Sequence, residues 1–246
     1  MSNTVKKSFE IVRLIEGNQG KFTLTDIVKI LGINKTTAFR NLRTLVELNL
    51  LEKINNLYYL GISLFELGNK VYLKQIIVEK IHPILRELSE EVNETVNLAM
   101  IHNNMVLYLD KIESKRSLQI RSAIGDTLPL YCTSLGKSIL SILPQNKMME
   151  IVKNIVFKKI TKKTISNSRK LIEQINEIKV RGHSIDDEEF EEGLICISIP
   201  LHLEHHNFFG SISLSGPSIR FDQATILQLS EKLKKYKELI IKRLEY

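Results

Sequence analysis

Apolar positions recur at helical spacing through the first fifty residues. Val5, Phe9, Val12 and Ile15 fall on one stripe, which predicts a helix over 5–16 that Gly17-Asn18-Gln19-Gly20 ends. Thr23 stands where an N-cap belongs and Asp26, three residues on, completes a variant capping box. A second helix therefore follows, burying Ile27, Ile30 and Leu31 and stopping at Gly32. Asn34 is a favoured N-cap for a third helix over 35–48. On that helix Phe39, Leu42, Leu45 and Val46 gather on one side, Thr37, Arg40 and Thr44 point away, and Asn41 lies on a flank. Two short apolar runs, 50–54 and 57–60, then flank Asn55-Asn56, a tight-hairpin signal. Helix, tight turn, second helix and hairpin make the pattern of a winged helix-turn-helix.

The segment 62–79 carries Leu64, Phe65, Leu67, Val71, Ile76 and Val78 and reads as one helix linking two domains. An amphipathic helix over 81–92 follows, with Pro83 tolerable in its first turn. The period then changes: Val96, Leu98 and Met100 alternate with Asn97 and Ala99, the mark of a strand. Further strands are expected at 105–112 and 118–123, helices at 134–143 and 170–180, and a hairpin of 194–203 with 208–215 around the His-rich tip 204–207. A last helix within 221–246 presents Ile226, Leu229, Leu233, Tyr236 and Ile240. The expected fold class is α+β: a DNA-binding-type unit over 1–61, a linker helix over 62–79, and a second domain over 80–246 with a mainly antiparallel sheet flanked by helices.

Charge sharpens this picture. The 246 residues carry a formal net charge of +7. Residues 1–61 hold nine Lys/Arg against five Asp/Glu, so a quarter of the chain has over half of the net charge. An anionic partner is expected there. Cys132 and Cys196 are too few for a disulfide framework and fit a reducing cytoplasm; the polar first ten residues carry no signal peptide, and no apolar run is long enough to span a membrane.

Thr36, Thr37, Arg40 and Arg43 sit where a recognition helix meets a major groove or its phosphate walls; Lys35 and the helix N-terminus suit phosphate, and Lys53, Asn55 and Asn56 would be wing contacts. A solvated charged helix face is the competing explanation. In the second domain, the hydroxyl-capped helix start Thr133-Ser134-Leu135-Gly136, Asp186 after a Gly turn, and Cys196, Ser213 and Ser215 on the hairpin could converge. Ser211, Ser213 and Ser215 share one strand face, which suits a polar ligand, although serines also pair locally with backbone. The acidic run 186–192 lacks calcium-loop spacing and reads as a solvated loop. His202, His205 and His206 with Cys132 or Cys196 leave open a redox or metal sensor. No P-loop, dinucleotide fingerprint or local nucleophile signature supports catalysis, and no catalytic residue or cofactor is assigned.

Over essentially its whole length the chain resembles the IclR family of bacterial transcription regulators. The residues carrying the resemblance include Gly32-Ile33-Asn34-Lys35-Thr36-Thr37, Tyr59-Leu60-Gly61, Glu94-Thr95-Val96-Asn97-Leu98, Leu135-Gly136-Lys137, Gly182 to Glu189, Gly193-Leu194-Ile195-Cys196 and Ser213 to Pro217. Asn49 stands where the family usually has Gly, and Asn41 where an apolar residue is common. The resemblance implies a GAF-like effector domain and homodimers, often dimers of dimers, on palindromic double-stranded DNA. It also implies a small organic or sugar-derived acid as effector, at positions matching Ser134, Leu135, Asp186, Cys196, Ser213 and Ser215. Thr25, at the start of the second helix, joins the implied DNA contacts.

Overall fold

A computed structural model describes residues 3–116 and 122–245, at 78, 205 and 245 by backbone alone. The chain separates into two compact units, Met1–Gln75 and Ile76–Tyr246.

The first unit begins with α1 (Asn3–Glu16), α2 (Leu24–Leu31) and α3 (Lys35–Glu47). The capping box of α2 forms as its residues dictate: the Asp26 backbone N–H donates to Thr23 Oγ1, and the Thr23 backbone N–H donates to Asp26 Oδ2 at 2.9 Å. Gly32, at φ +61°, ends the helix in the left-handed region. Asn34 Oδ1 accepts from the Thr36 N–H at 2.8 Å and starts α3. Strands β1 (Leu51–Ile54) and β2 (Leu57–Leu60) pair antiparallel. Asn55 and Asn56 turn between them at φ +50° and +66°, the left-handed pair of a tight hairpin.

The core of this unit joins Ile11, Ile15, Ile27, Leu42, Leu45, Leu51 and Tyr58. Two expectations fail here. Ile30 and Phe39 are more than half exposed. The buried face of α3 is Ala38, Asn41, Leu42 and Leu45. Asn41 thus lies inside rather than on a flank, and its Nδ2 has no partner among the described residues.

The expected single linker helix is broken. α4 (Ile62–Asn69) ends where Gly68 and Asn69 interrupt the helix, the Asn69 amide donating back to the Phe65 carbonyl. A short α5 (Tyr72–Ile76) then runs into a π-helical turn, Ile77–Ile81, and α6 (His82–Val92). The boundary between the two units falls inside the segment read as a linker.

The second unit is built on β3 (Thr95–His102), β4 (Met105–Ile112), β5 (Thr127–Leu128), β6 (Ser184–Asp187), β7 (Leu194–Leu203) and β8 (Phe208–Pro217). They form one antiparallel sheet in the order β5-β4-β3-β8-β7-β6. Most of the strand expected at 118–123 lies outside the described residues. α7 (Ser134–Ile142), α8 (Gln145–Lys153) and α9 (Ser168–Arg181) contribute to a core with Ala99, Val106, Leu130 and Cys132. α6 and α10 (Gln223–Glu245) pack together, with the Tyr236 hydroxyl donating to Glu91 at 2.7 Å. Strands β5 and β6 and helix α8 were not expected.

Candidate functional site

The recognition elements are exposed. Thr25, Lys35, Thr36, Arg40, Arg43, Lys53, Asn55 and Asn56 face solvent, and Thr37 is half-buried. Arg43 donates to Glu47 one turn on, at 2.7 Å. Arg40 sits on the same exposed face of α3. Lys53 lies over the Tyr58 ring, which directs its ammonium from the wing.

In the second unit, a cavity of about 430 Å³ opens between the start of α7 and the sheet. Ser134, Leu135, Asp186, Cys196, Ser213 and Ser215 all line it. Gly136 lets the first turn of α7 press against the segment that leads into it: a Cβ there would lie 2.3 Å from the Leu130 carbonyl oxygen. Thr133 Oγ1 accepts from the Gly136 N–H at 3.1 Å and leaves the first turn of α7 facing the cavity.

Strand register supplies the opposite wall. Asp186 pairs Cys196, Cys196 pairs Ser215, and Ser215 pairs Thr95. One step along, Ser184 pairs Ser198, Ser198 pairs Ser213, and Ser213 pairs Asn97. Two polar rows thus cross four strands on one face. The alternate positions Ile197, Ile212, Leu214 and Val96 are fully buried and apolar. Asn97 Nδ2 donates to Ser213 Oγ and Ser215 Oγ, both at 3.2 Å.

The acidic run is solvated only in part: Asp187, Glu191 and Glu192 are exposed, while Asp186 and Glu189 turn inward. Asp186 is buried, and its Oδ1 accepts from the backbone N–H groups of Glu189 at 2.8 Å and Phe190 at 3.4 Å. Burial pushes its carboxyl up to about 7, against the pull of Lys137. Lys137, fully buried on α7, donates to Glu189 and, at 2.7 Å, to Gln174 Oε1 on α9. Burial also pushes the Glu189 carboxyl up. Asp187 and Glu188 pair with Lys163.

Burial first, then the Asp186 charge, push the Cys132 thiol up to about 12, and the same two causes raise Cys196. Such thiols are poor thiolates. His202 stacks on Phe209 with ring centroids 4.3 Å apart. Among the described residues, no group of three His, Cys, Asp or Glu has metal-holding geometry, and the His205 side chain lies outside them.

Sequence reasoning missed Asn97, Tyr108, Asp126 and Glu191, which also line the cavity. For Asn97 the signal was present: the period-two alternation of β3 puts it on the face opposite Val96 and Leu98.

An exposed, capped recognition helix with a wing, and a second unit enclosing a cavity that combines buried serines and Asp186 with apolar side chains, define a DNA-binding regulator with a ligand-binding domain. Family comparison agrees. Residues 4–54 match the IclR helix-turn-helix domain and residues 70–241 the C-terminal domain of the bacterial transcriptional regulator IclR. The chain belongs to the IclR family of bacterial transcriptional regulators, whose members are regulators and not enzymes. It is 30% identical over 223 residues to the HTH-type transcriptional regulator KdgR of Dickeya chrysanthemi, covering 90% of this chain and 73% of that protein. It is 26% identical over 221 residues to the transcriptional repressor IclR of Escherichia coli, covering 88% and 81%. A crystal structure of an IclR homologue from Microbacterium hydrocarbonoxydans, complexed with 4-hydroxybenzoate, shares the fold with TM-score 0.86 at 18% identity, over 99% of each chain.

Proposed function

We propose that this regulator is a repressor whose hold on a palindromic operator is set by a small organic or sugar-derived acid bound in the second unit, in the cytoplasm. The observation that carries the reading is the convergence of Ser134, Leu135, Asp186, Cys196, Ser213 and Ser215 on one cavity. The N-terminal turn of α7 offers backbone N–H groups and a positive dipole end to a carboxylate without needing an arginine. The repressor named among the relatives and the hydroxybenzoate held by the structural neighbour support the same direction. For the DNA, Arg40 on α3 is the leading base-edge contact. Lys35, Thr36 and Thr37 serve the phosphates at the helix start, with Thr25 from α2, Arg43 along α3, and Lys53, Asn55 and Asn56 from the wing. Exposed Val5 and Phe9 on α1, and Ile62, Phe65 and Leu67 on α4, leave apolar surface that a second copy would cover, in a homodimer or a dimer of dimers. Paired heads would then read half-sites separated by whole turns, about 34 Å each.

The test is fluorescence anisotropy with DNA from upstream of the chain's own gene, across a salt series. Binding is expected to weaken steeply with salt. Arg40→Ala should lose about tenfold or more in affinity while circular dichroism stays unchanged. Absence of binding at every salt concentration would overturn the reading.

A further inference from the structure

Asn97 is nearly fully buried and lines the cavity, and its Oδ1 has no hydrogen-bond partner among the described residues. Its orientation follows from its neighbours. Two hydroxyls on β8, Ser213 Oγ and Ser215 Oγ, accept its Nδ2 protons. The amide therefore turns Nδ2 toward Ser215 and Ser213, as the 3.2 Å contacts have it, and leaves Oδ1 as an open acceptor. Ser213 Oγ receives the Asn97 proton and keeps its own O–H to donate. An open acceptor beside a free donor, both buried on the cavity wall, is the complement of one group that both gives and takes a hydrogen bond: a hydroxyl.

The charges of the cavity narrow the ligand further. Asp126, Asp186 and Glu191 line it, and among the described residues no Lys or Arg does. The Lys137 ammonium is already held by Glu189 and Gln174. A single ligand carboxylate finds stabilisation at the start of α7. A second anionic group would sit among these carboxylates, with no counter-charge on the lining among the described residues.

We infer that Asn97, with Ser213, is the specificity-determining pair of this cavity, selecting a hydroxylated monocarboxylate over deoxy analogues, dicarboxylates and phosphate esters. The inference rests on the effector reading above and goes beyond it in naming the residue that discriminates and the ligand class. A buried acceptor and donor left unpaired penalise an analogue that lacks the hydroxyl, which is why such sites discriminate well.

The experiment is isothermal titration of the full-length protein with a panel of C3–C7 acids: hydroxylated monocarboxylates, their matched deoxy acids, dicarboxylates and sugar phosphates. The expected result is tightest binding by a hydroxylated monocarboxylate. Asn97→Leu is expected to lower the preference for that ligand over its deoxy partner by tenfold or more, while leaving affinity for the deoxy partner within about threefold. Ser213→Ala, a milder change in the same strand, should lower the preference in the same direction, and serves if Asn97→Leu does not fold. If a dicarboxylate or phosphate ester binds tightest, or if both variants weaken the hydroxylated and deoxy acids equally, the inference falls and the effector reading stands. If no acid of any class binds a protein that still binds DNA, the effector reading falls and takes the inference with it.

Discussion

Asp186 holds a buried carboxyl whose ordinary value near 3.8 is pushed up to about 7 by burial. Between those two values the folded protein keeps a proton that the unfolded chain has lost. Stability from this group therefore falls as pH rises through that window, and the penalty is complete above about 7. Asp186→Asn keeps an Oδ1 to accept from the Glu189 and Phe190 N–H groups and removes the titration. Its stability relative to the parent is expected to be about 1–3 kcal/mol more favourable at pH 8 than at pH 5. Urea unfolding at the two pH values checks this, and an equal difference at both would refute it. Asn41 makes a second case. It is buried beside Ala38, Leu42 and Leu45 with its Nδ2 unpaired among the described residues. Asn41→Leu should stabilise the first unit by about 1 kcal/mol, since an unsatisfied buried donor costs about that or more. A lowered urea midpoint would show that the polar group has a partner in the functional assembly.

At the scale of elements, caps decide where the DNA-reading helix begins. Asn34→Ala removes the acceptor for the Thr36 N–H and should cost about 1 kcal/mol. The check is a lowered unfolding midpoint of the first unit and weaker operator binding. These caps were legible in the sequence, because Thr23, Asp26 and Asn34 act on residues two or three positions away. The Asn55-Asn56 hairpin was legible for the same local reason. The break after α4 was equally local: Gly68 and Asn69 were in view, yet the surrounding apolar residues read as one continuous helix. α8 carried Met148, Ile151 and Val152 at helical spacing behind Pro144 and could have been found. β6 could not be found so easily. Its four residues, Ser184 to Asp187, include two acids and make a strand because they pair with β7. Burial on α3 also departed from the wheel: the apolar count favoured Phe39, but tertiary packing chose small Ala38 and polar Asn41. The cavity was legible residue by residue through resemblance. Asn97 could have been read from the alternation of β3, but the row that joins it to Ser213, Ser198 and Ser184 appears only once register sets β3 beside the distant run of β8, β7 and β6.

For the whole molecule, the proposed function requires that an acid bound in one unit change the affinity of the other for DNA. Linkage makes this reciprocal: if an acid weakens operator binding by some factor, operator DNA must weaken binding of that acid by the same factor. Titrating the acid with and without saturating operator, and the operator with and without saturating acid, should give equal factors, typically 5- to 150-fold. Unequal factors would require a further linked equilibrium, such as assembly. The polar rows also bear on how such a regulator diversifies. Positions 211, 213 and 215 face the ligand side, while Ile212 and Leu214 between them serve the opposite core layer. A substitution at an odd position of β8 edits the chemistry offered to the ligand and spares the packing behind it; an insertion of one residue would exchange the two roles along the rest of the strand. The groups offered to the cavity can be changed while strand lengths stay constant, because the lattice that carries them tolerates new letters but not a new count.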